Sequence, residues 1–147
     1  MVRPWSYRSR VGTRISFEPT AAMTTRRPHE LVLVVVDDDE AVRRALARLL
    51  RSCGHEVHVF ASAEAFLSRP CTADCAILDI HLPGINGLEL EERLKQEARG
   101  IAVIFMTGRD DSAMRAAVER ANRHLLMKPL DDDGLLAAIA RAIGHRV

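Results

Sequence analysis

An α/β fold built on a doubly wound parallel sheet is predicted by three features of this 147-residue chain. From residue 31 onward, short apolar runs alternate with stretches of helical periodicity, the pattern of repeated strand–helix units. The apolar runs are continuous rather than alternating, as strands covered on both faces require. Four of them also stop at polar groups: Asp37-Asp38-Asp39, Asp79, Thr107 and Lys128. In such a sheet the strand C-termini share one edge, and ligands sit outside that edge where the strand order reverses.

The first strand spans residues 31–36, an unbroken apolar run. A helix follows over 39–52, with Val42, Ala45, Leu46, Leu49 and Leu50 at the i, i+3, i+4, i+7, i+8 spacing of an amphipathic face. Gly54 supplies its stop. Val57, Val59 and Phe60 form a short second strand, and Ser62 is positioned to cap a helix running through Leu67 and ending before Pro70. Residues 75–79 make the third strand. Leu88, Leu90 and Leu94 line a third helix that stops near Gly100. The fourth strand is 101–106, and a helix over 110–121 presents Met114, Ala117, Val118 and Ala121 on one face. A short fifth strand, 124–127, precedes a last helix over 131–145, whose first-turn acids Asp131, Asp132 and Asp133 suit the positive end of the helix dipole.

Composition narrows the function. Hydrophobic residues make up 48% of the chain and aromatics 4%, so aliphatic side chains must build the core. Residues 1–30 carry six arginines against Glu18 and Glu30, a net +4; residues 31–147 carry 15 basic and 18 acidic residues, a net −3. The folded part is therefore mildly acidic, which does not suit a nucleic-acid partner. The strand runs are far shorter than the roughly 20 residues that span a bilayer. Residues 1–29 lack periodicity and read as a flexible tail; they are Arg-rich like a transit peptide, though a disordered extension, or an initiator at Met23, explains them better. Three cysteines, Cys53, Cys71 and Cys75, are too few and odd in number for a disulfide framework and fit a cytoplasmic protein. Cys71 and Cys75 have no second ligand pair, so Cys75 reads as a small buried hydrophobe.

The strand-end groups carry the chemistry. Val36-Asp37-Asp38-Asp39-Glu40-x-Val42-Arg43, Leu78-Asp79-x-x-Leu82-Pro83-Gly84-x-x-Gly87, Phe105-x-Thr107-Gly108 and Lys128-Pro129 resemble, in order and spacing, the receiver domain of two-component response regulators. Phe60-x-Ser62-Ala63-x-x-Phe66-Leu67 is most similar to receivers of the nitrogen-fixation regulator type. The resemblance covers about residues 31–145, and residues 30–147 are read as one receiver domain. It implies a flavodoxin-like (βα)5 sheet of strand order 2-1-3-4-5.

The resemblance also implies roles. Asp79 is the phosphoacceptor, taking a phosphoryl group from a sensor histidine kinase or a histidine phosphotransfer protein. Mg²⁺ is held by Asp38 and Asp79 directly, by Asp37 mainly through water, and by the backbone carbonyl of His81. Lys128 pairs with Asp79 at rest and with a phosphoryl oxygen afterwards, Thr107 hydrogen-bonds another, and the Lys128–Pro129 peptide is cis. Taken singly, the acids could be helix caps, Lys128 a solvated lysine and Thr107 a turn residue; four complementary strand ends are not explained that way. The histidines His29, His55, His58, His124 and His145 have no ligand-like partners and read as surface or edge residues.

Two departures stand out. Ala121-Asn122 replaces the usual Gly-Ala pair, and Leu125 stands where receivers carry an aromatic switch residue. The helix of 131–145 is followed almost at once by the last residue, so the reading is of a stand-alone receiver that docks to a downstream protein target or relays phosphate. Two alternatives remain. One is a constitutive docking module with a weak or dead site. The other is a haloacid dehalogenase-type phosphatase using Asp37 as nucleophile, in which Asp79 has no role.

Overall fold

A computed structural model describes residues 30–69, 72–97, 99–108, 112–120 and 124–144. Strand β1 (Val32–Val36) lies at the centre of the chain's chemistry and is buried at every residue. Its burial on both faces explains why five consecutive apolar residues are tolerated there. Helix α1 (Glu40–Ser52) follows, capped by Asp39, whose side chain accepts from the Ala41 N–H. Then come β2 (Glu56–Phe60), α2 (Ala63–Leu67) capped by Ser62, β3 (Cys75–Asp79) and α3 (Gly87–Gln96). The second half comprises β4 (Ala102–Thr107), α4 (Ser112–Arg120), β5 (His124–Met127) and α5 (Asp132–Gly144).

The five strands form one parallel sheet in the order β2-β1-β3-β4-β5, as expected for the flavodoxin-like (βα)5 arrangement. Alternate residues of the central strands feed two cores. Val32, Val34, Val36, Ala76, Leu78 and Phe105 pack with Phe66, Leu90 and Leu94 on the α2–α3 side. Leu33, Val35, Cys75, Ile77, Ile104 and Met106 pack with α1 and α5 through Leu46, Leu50, Leu135 and Ile139 on the other. No helix among the described residues is long and apolar enough to cross a membrane.

Element boundaries moved by a residue or two. Strand β2 begins at Glu56, a buried acid whose Oε2 lies 2.7 Å from His58 Nε2 at the sheet edge. Helix α3 ends at Gln96, with Glu97 closing its last turn. On α1 the buried stripe is Leu46, Ala47 and Leu50, whereas Ala45 faces solvent. Gly54 ends α1 at a φ of 93°, which only glycine adopts without strain. Asp131 caps α5, its Oδ2 accepting from the Gly134 N–H at 2.9 Å, as a capping role for that acidic run requires. Pro70, Cys71, Asp110, Ala121, Asn122, His29, His145 and the tail of residues 1–29 lie outside the described residues.

Candidate functional site

The strand order turns the chain in opposite directions from β1 and β3, so the switch point lies between them, at their C-terminal edge. Asp37 follows β1 directly, with its N–H bonded to Phe60 O at 3.2 Å. Asp79 is the last residue of β3 and Thr107 the last of β4. Lys128 leaves β5 with its N–H on Thr107 O at 2.9 Å. Strand pairing alone thus brings all four to one edge.

Burial separates their characters. Asp37 is 0% exposed, Thr107 3% and Asp79 5%, while Asp38 faces solvent. Buried carboxylates need fixed partners. Asp37 Oδ1 accepts from the Asp39 N–H at 2.9 Å and its Oδ2 stands 2.7 Å from Lys128 Nζ. The same ammonium lies 3.4 Å from Asp79 Oδ2, and Asp79 Oδ1 accepts from the His81 N–H at 3.1 Å. Lys128 therefore pairs with Asp79, as the resemblance implied, and stands closer still to Asp37. Arg43, quoted in the sequence motif without a role, donates from Nη1 to Asp37 O at 2.9 Å and ties α1 to the β1–α1 turn.

The electrostatics follow from this crowding. Burial holds the Asp37 carboxyl above the ordinary carboxylate range, against the opposing pull of Lys128 and the Asp39 N–H, and the neighbouring Asp79 charge adds to the rise. For Lys128, burial works to strip the proton, but the two carboxylates outweigh it and hold the ammonium above the usual lysine value. The site at rest is an excess of acid balanced by one cation.

A metal fits the residues present. One carboxylate oxygen from each of Asp37, Asp38 and Asp79 lies within 4.8 Å of the others, the one such convergence among the described residues. Three hard oxygen donors of net negative charge suit Mg²⁺ and do not suit softer ions. His81 is half-buried, and its Nε2 is enclosed with no hydrogen-bond partner among the described residues.

Close backbone packing supports the site from below. A Cβ at Gly87 would stand 2.5 Å from Asp79 O and 2.9 Å from Ile80 Cα, so glycine is required where α3 begins. The Asn86–Glu89 capping box fixes the same turn. At Gly108 a Cβ would touch Lys128 Cδ at 3.4 Å, ordinary contact. The Lys128–Pro129 peptide is cis, as the resemblance implied. His55 Nδ1 accepts from the Leu31 N–H at 3.1 Å, far from the site at the opposite sheet edge.

The carboxylate cluster and its shared ammonium thus sit at the switch point of a flavodoxin-like α/β domain. The family model of the response regulator receiver domain matches residues 33–140, and the chain belongs to that family, the receiver domains of two-component response regulators. Among curated relatives, the transcriptional regulatory protein FixJ of Azorhizobium caulinodans is 40% identical over 121 residues, covering 80% of this chain and 57% of that protein. The response regulator protein TmoT of Ectopseudomonas mendocina is 37% identical over 117 residues, 78% of this chain and 53% of its own. The chain thus spans about half the length of these relatives. Among solved structures, a response regulator receiver protein from Burkholderia phymatum is 37% identical with a TM-score of 0.66, covering 77% of this chain and 94% of that one. Full-length FixJ from B. japonicum gives 32% identity and a TM-score of 0.70 over 79% of this chain and 59% of that one.

Family membership removes the phosphatase alternative. That reading gives Asp79 no role, yet Asp79 closes β3 inside the same carboxylate cluster and shares Lys128 with Asp37.

Proposed function

We propose that this domain accepts a phosphoryl group on Asp79 from a histidine kinase or a histidine phosphotransfer protein and signals by docking to a downstream protein. The convergence of Asp37, Asp38 and Lys128 on Asp79 is the observation that carries this reading. Asp79 Oδ1 is held by the His81 N–H, which leaves Oδ2, beside Lys128, as the attacking atom. An O–P bond forms there as the N–P bond of the donor's phosphohistidine breaks, and the imidazole leaves with that electron pair and takes up a proton. Asp38, Asp79 and Asp37 would hold Mg²⁺ with the His81 carbonyl. When bound, that ion offsets negative charge on the phosphoryl oxygens.

Lys128 supplies the second positive charge. It is placed to leave Asp37 for a phosphoryl oxygen on Asp79, and the Thr107 hydroxyl to receive another. Leu125 lies opposite Phe105 in the β4–β5 register and packs against the α2–α3 core, so movement of Thr107 is coupled to β5 through an aliphatic side chain rather than an aromatic one. A downstream partner then reads a smaller change on the α4–β5–α5 face than an aromatic rotation gives.

The donor needs a surface beside Asp79. Ala41, Val42, Ala45 and Leu49 of α1 form an apolar groove with Pro129 and Leu130, and Lys128 lies on its wall. This supports docking of an amphipathic helix carrying the donor histidine. Beryllofluoride, a phosphoryl mimic, tests the site directly: titration calorimetry with Mg²⁺ should show saturable binding that Asp79→Asn abolishes. No heat from the wild-type chain would instead favour a docking module with a dead site.

A further inference from the structure

The motif Phe60-x-Ser62-Ala63-Glu64-Ala65-Phe66-Leu67 lies outside the acid cluster, yet one of its side chains reaches the loop that leaves Asp79. Phe66 and Ala63 are buried and Ser62 caps α2, which accounts for those residues structurally. Glu64 is exposed and serves no core. Its Oε2 accepts from the Ile85 N–H at 3.0 Å, across 21 residues of sequence. That N–H belongs to the β3–α3 loop, residues 80–86, which begins at the proposed phosphoacceptor.

Separate hydrogen bonds hold the two ends of this loop. Ile80 N–H bonds Met106 O at 2.9 Å, His81 N–H bonds Asp79 Oδ1, and Gly87 N–H bonds Ile80 O at 3.0 Å. Asn86 N–H is taken by Glu89 Oε1 within the capping box. At the tip, Pro83 and Gly84 face solvent, and Glu64 is the group from another element that holds the backbone there. Gly84 is built around that contact. Its φ is 74°, and a Cβ would fall 2.6 Å from Glu64 Oε2. The glycine of the Leu82-Pro83-Gly84 turn therefore supplies both a left-handed backbone and the space the carboxylate fills.

We propose that Glu64 is a positioning residue for the cation site: by clasping Ile85 and Gly84 it fixes the β3–α3 loop so that the His81 carbonyl stays aimed at the ion. The inference rests on the proposed Mg²⁺-dependent phosphorylation of Asp79. A ligand carbonyl on an unanchored loop must be ordered when the ion binds, and that ordering weakens affinity. Charge is not the reason, because Glu64 is not among the converging carboxylates.

The test is the Mg²⁺ dependence of labelling by acetyl phosphate in the full chain. Glu64→Ala should raise the Mg²⁺ concentration for half-maximal labelling by about tenfold, the low end for a bond that orients a metal ligand. The rate at saturating Mg²⁺ should hold. Glu64→Gln keeps an acceptor oxygen for the Ile85 N–H and should return the half-saturation to within about threefold of wild type. A Glu64→Ala curve superimposed on the wild-type one overturns the inference and leaves the proposed function standing. A Gln variant as weak as Ala overturns it too, because the bond would then not be what matters. A wild-type chain that shows no Mg²⁺-dependent labelling overturns the proposed function and this inference together.

Discussion

Lys128 Nζ stands 2.7 Å from Asp37 Oδ2 and 3.4 Å from Asp79 Oδ2, so one ammonium is divided unequally between the deepest acid and the proposed phosphoacceptor. The unequal division has a physical cause. Each acid already takes a backbone N–H on its other oxygen, and Asp37, wholly buried, is the one in greater need of a countercharge. Lys128 is thus held at rest in the place from which a phosphoryl group can draw it.

Removal of that lysine should leave two buried carboxylates uncompensated. Lys128→Met is expected to lower the stability of the metal-free domain by about 1–3 kcal/mol in urea unfolding. Mg²⁺ should restore more stability to the variant than it adds to wild type, because the ion replaces the lost charge. Equal Mg²⁺ effects on both proteins would contradict the shared-ammonium arrangement.

The pH dependence of stability carries a definite sign at Asp37. Its folded-state pKa is raised, chiefly by burial. A raised acid favours the folded state fully below its unfolded value and loses that contribution as pH climbs through the folded value. Ionised Asp37 therefore costs stability at neutral pH. Asp37→Asn should stabilise the metal-free domain at pH 7 by roughly 1 kcal/mol, with the gain fading in acid, as thermal melts across pH would register. A variant less stable than wild type at pH 7 would reverse the sign.

Glu64 should behave in the opposite sense. Its carboxyl is held below the ordinary range, first by the Ile85 N–H. Its contribution is present above the unfolded value and lost as pH falls through the folded one. Glu64→Gln should therefore flatten part of the acid-side decline in melting temperature and leave the alkaline side alone.

Gly87→Ala forces a Cβ into Asp79 O and Ile80 Cα, backbone atoms that cannot swing away. The expected loss is about 1–3 kcal/mol, with beryllofluoride binding weakened as β3 and α3 part. Unchanged unfolding midpoints would mean the turn relaxes freely.

Ala45 tests the donor's approach. It is exposed on α1 and lines the groove beside Lys128. Ala45→Arg should slow transfer from a phosphorylated kinase or phosphotransfer protein by about tenfold or more through loss of docking. Labelling by acetyl phosphate, which needs no helix in that groove, should be unaffected.

Much of this was legible in the chain because backbone periodicity and strand-end chemistry are local. Val32 to Val36 and Cys75 to Asp79 announce doubly covered strands, and the polar residue closing each strand follows from the fold. What could not be read depends on side-chain reach or on which face a helix turns. The α1 periodicity put Ala45 on the apolar face, whereas packing of the helix against β1 and β2 buries Ala47 instead. The preference of Lys128 for Asp37 is set by relative burial across three strands. The Glu64–Ile85 bond joins residues 21 apart, with only an acid after a cap and a glycine in a turn as its trace.

The most direct test of the central claim is mass spectrometry of the chain after incubation with acetyl phosphate and Mg²⁺. Convergence of the acids and Lys128 on one carboxylate requires a single phosphoryl adduct on the peptide containing Asp79, lost in Asp79→Asn and in the presence of a chelator. An adduct on Asp37, or labelling that persists in Asp79→Asn at the wild-type rate, would contradict it.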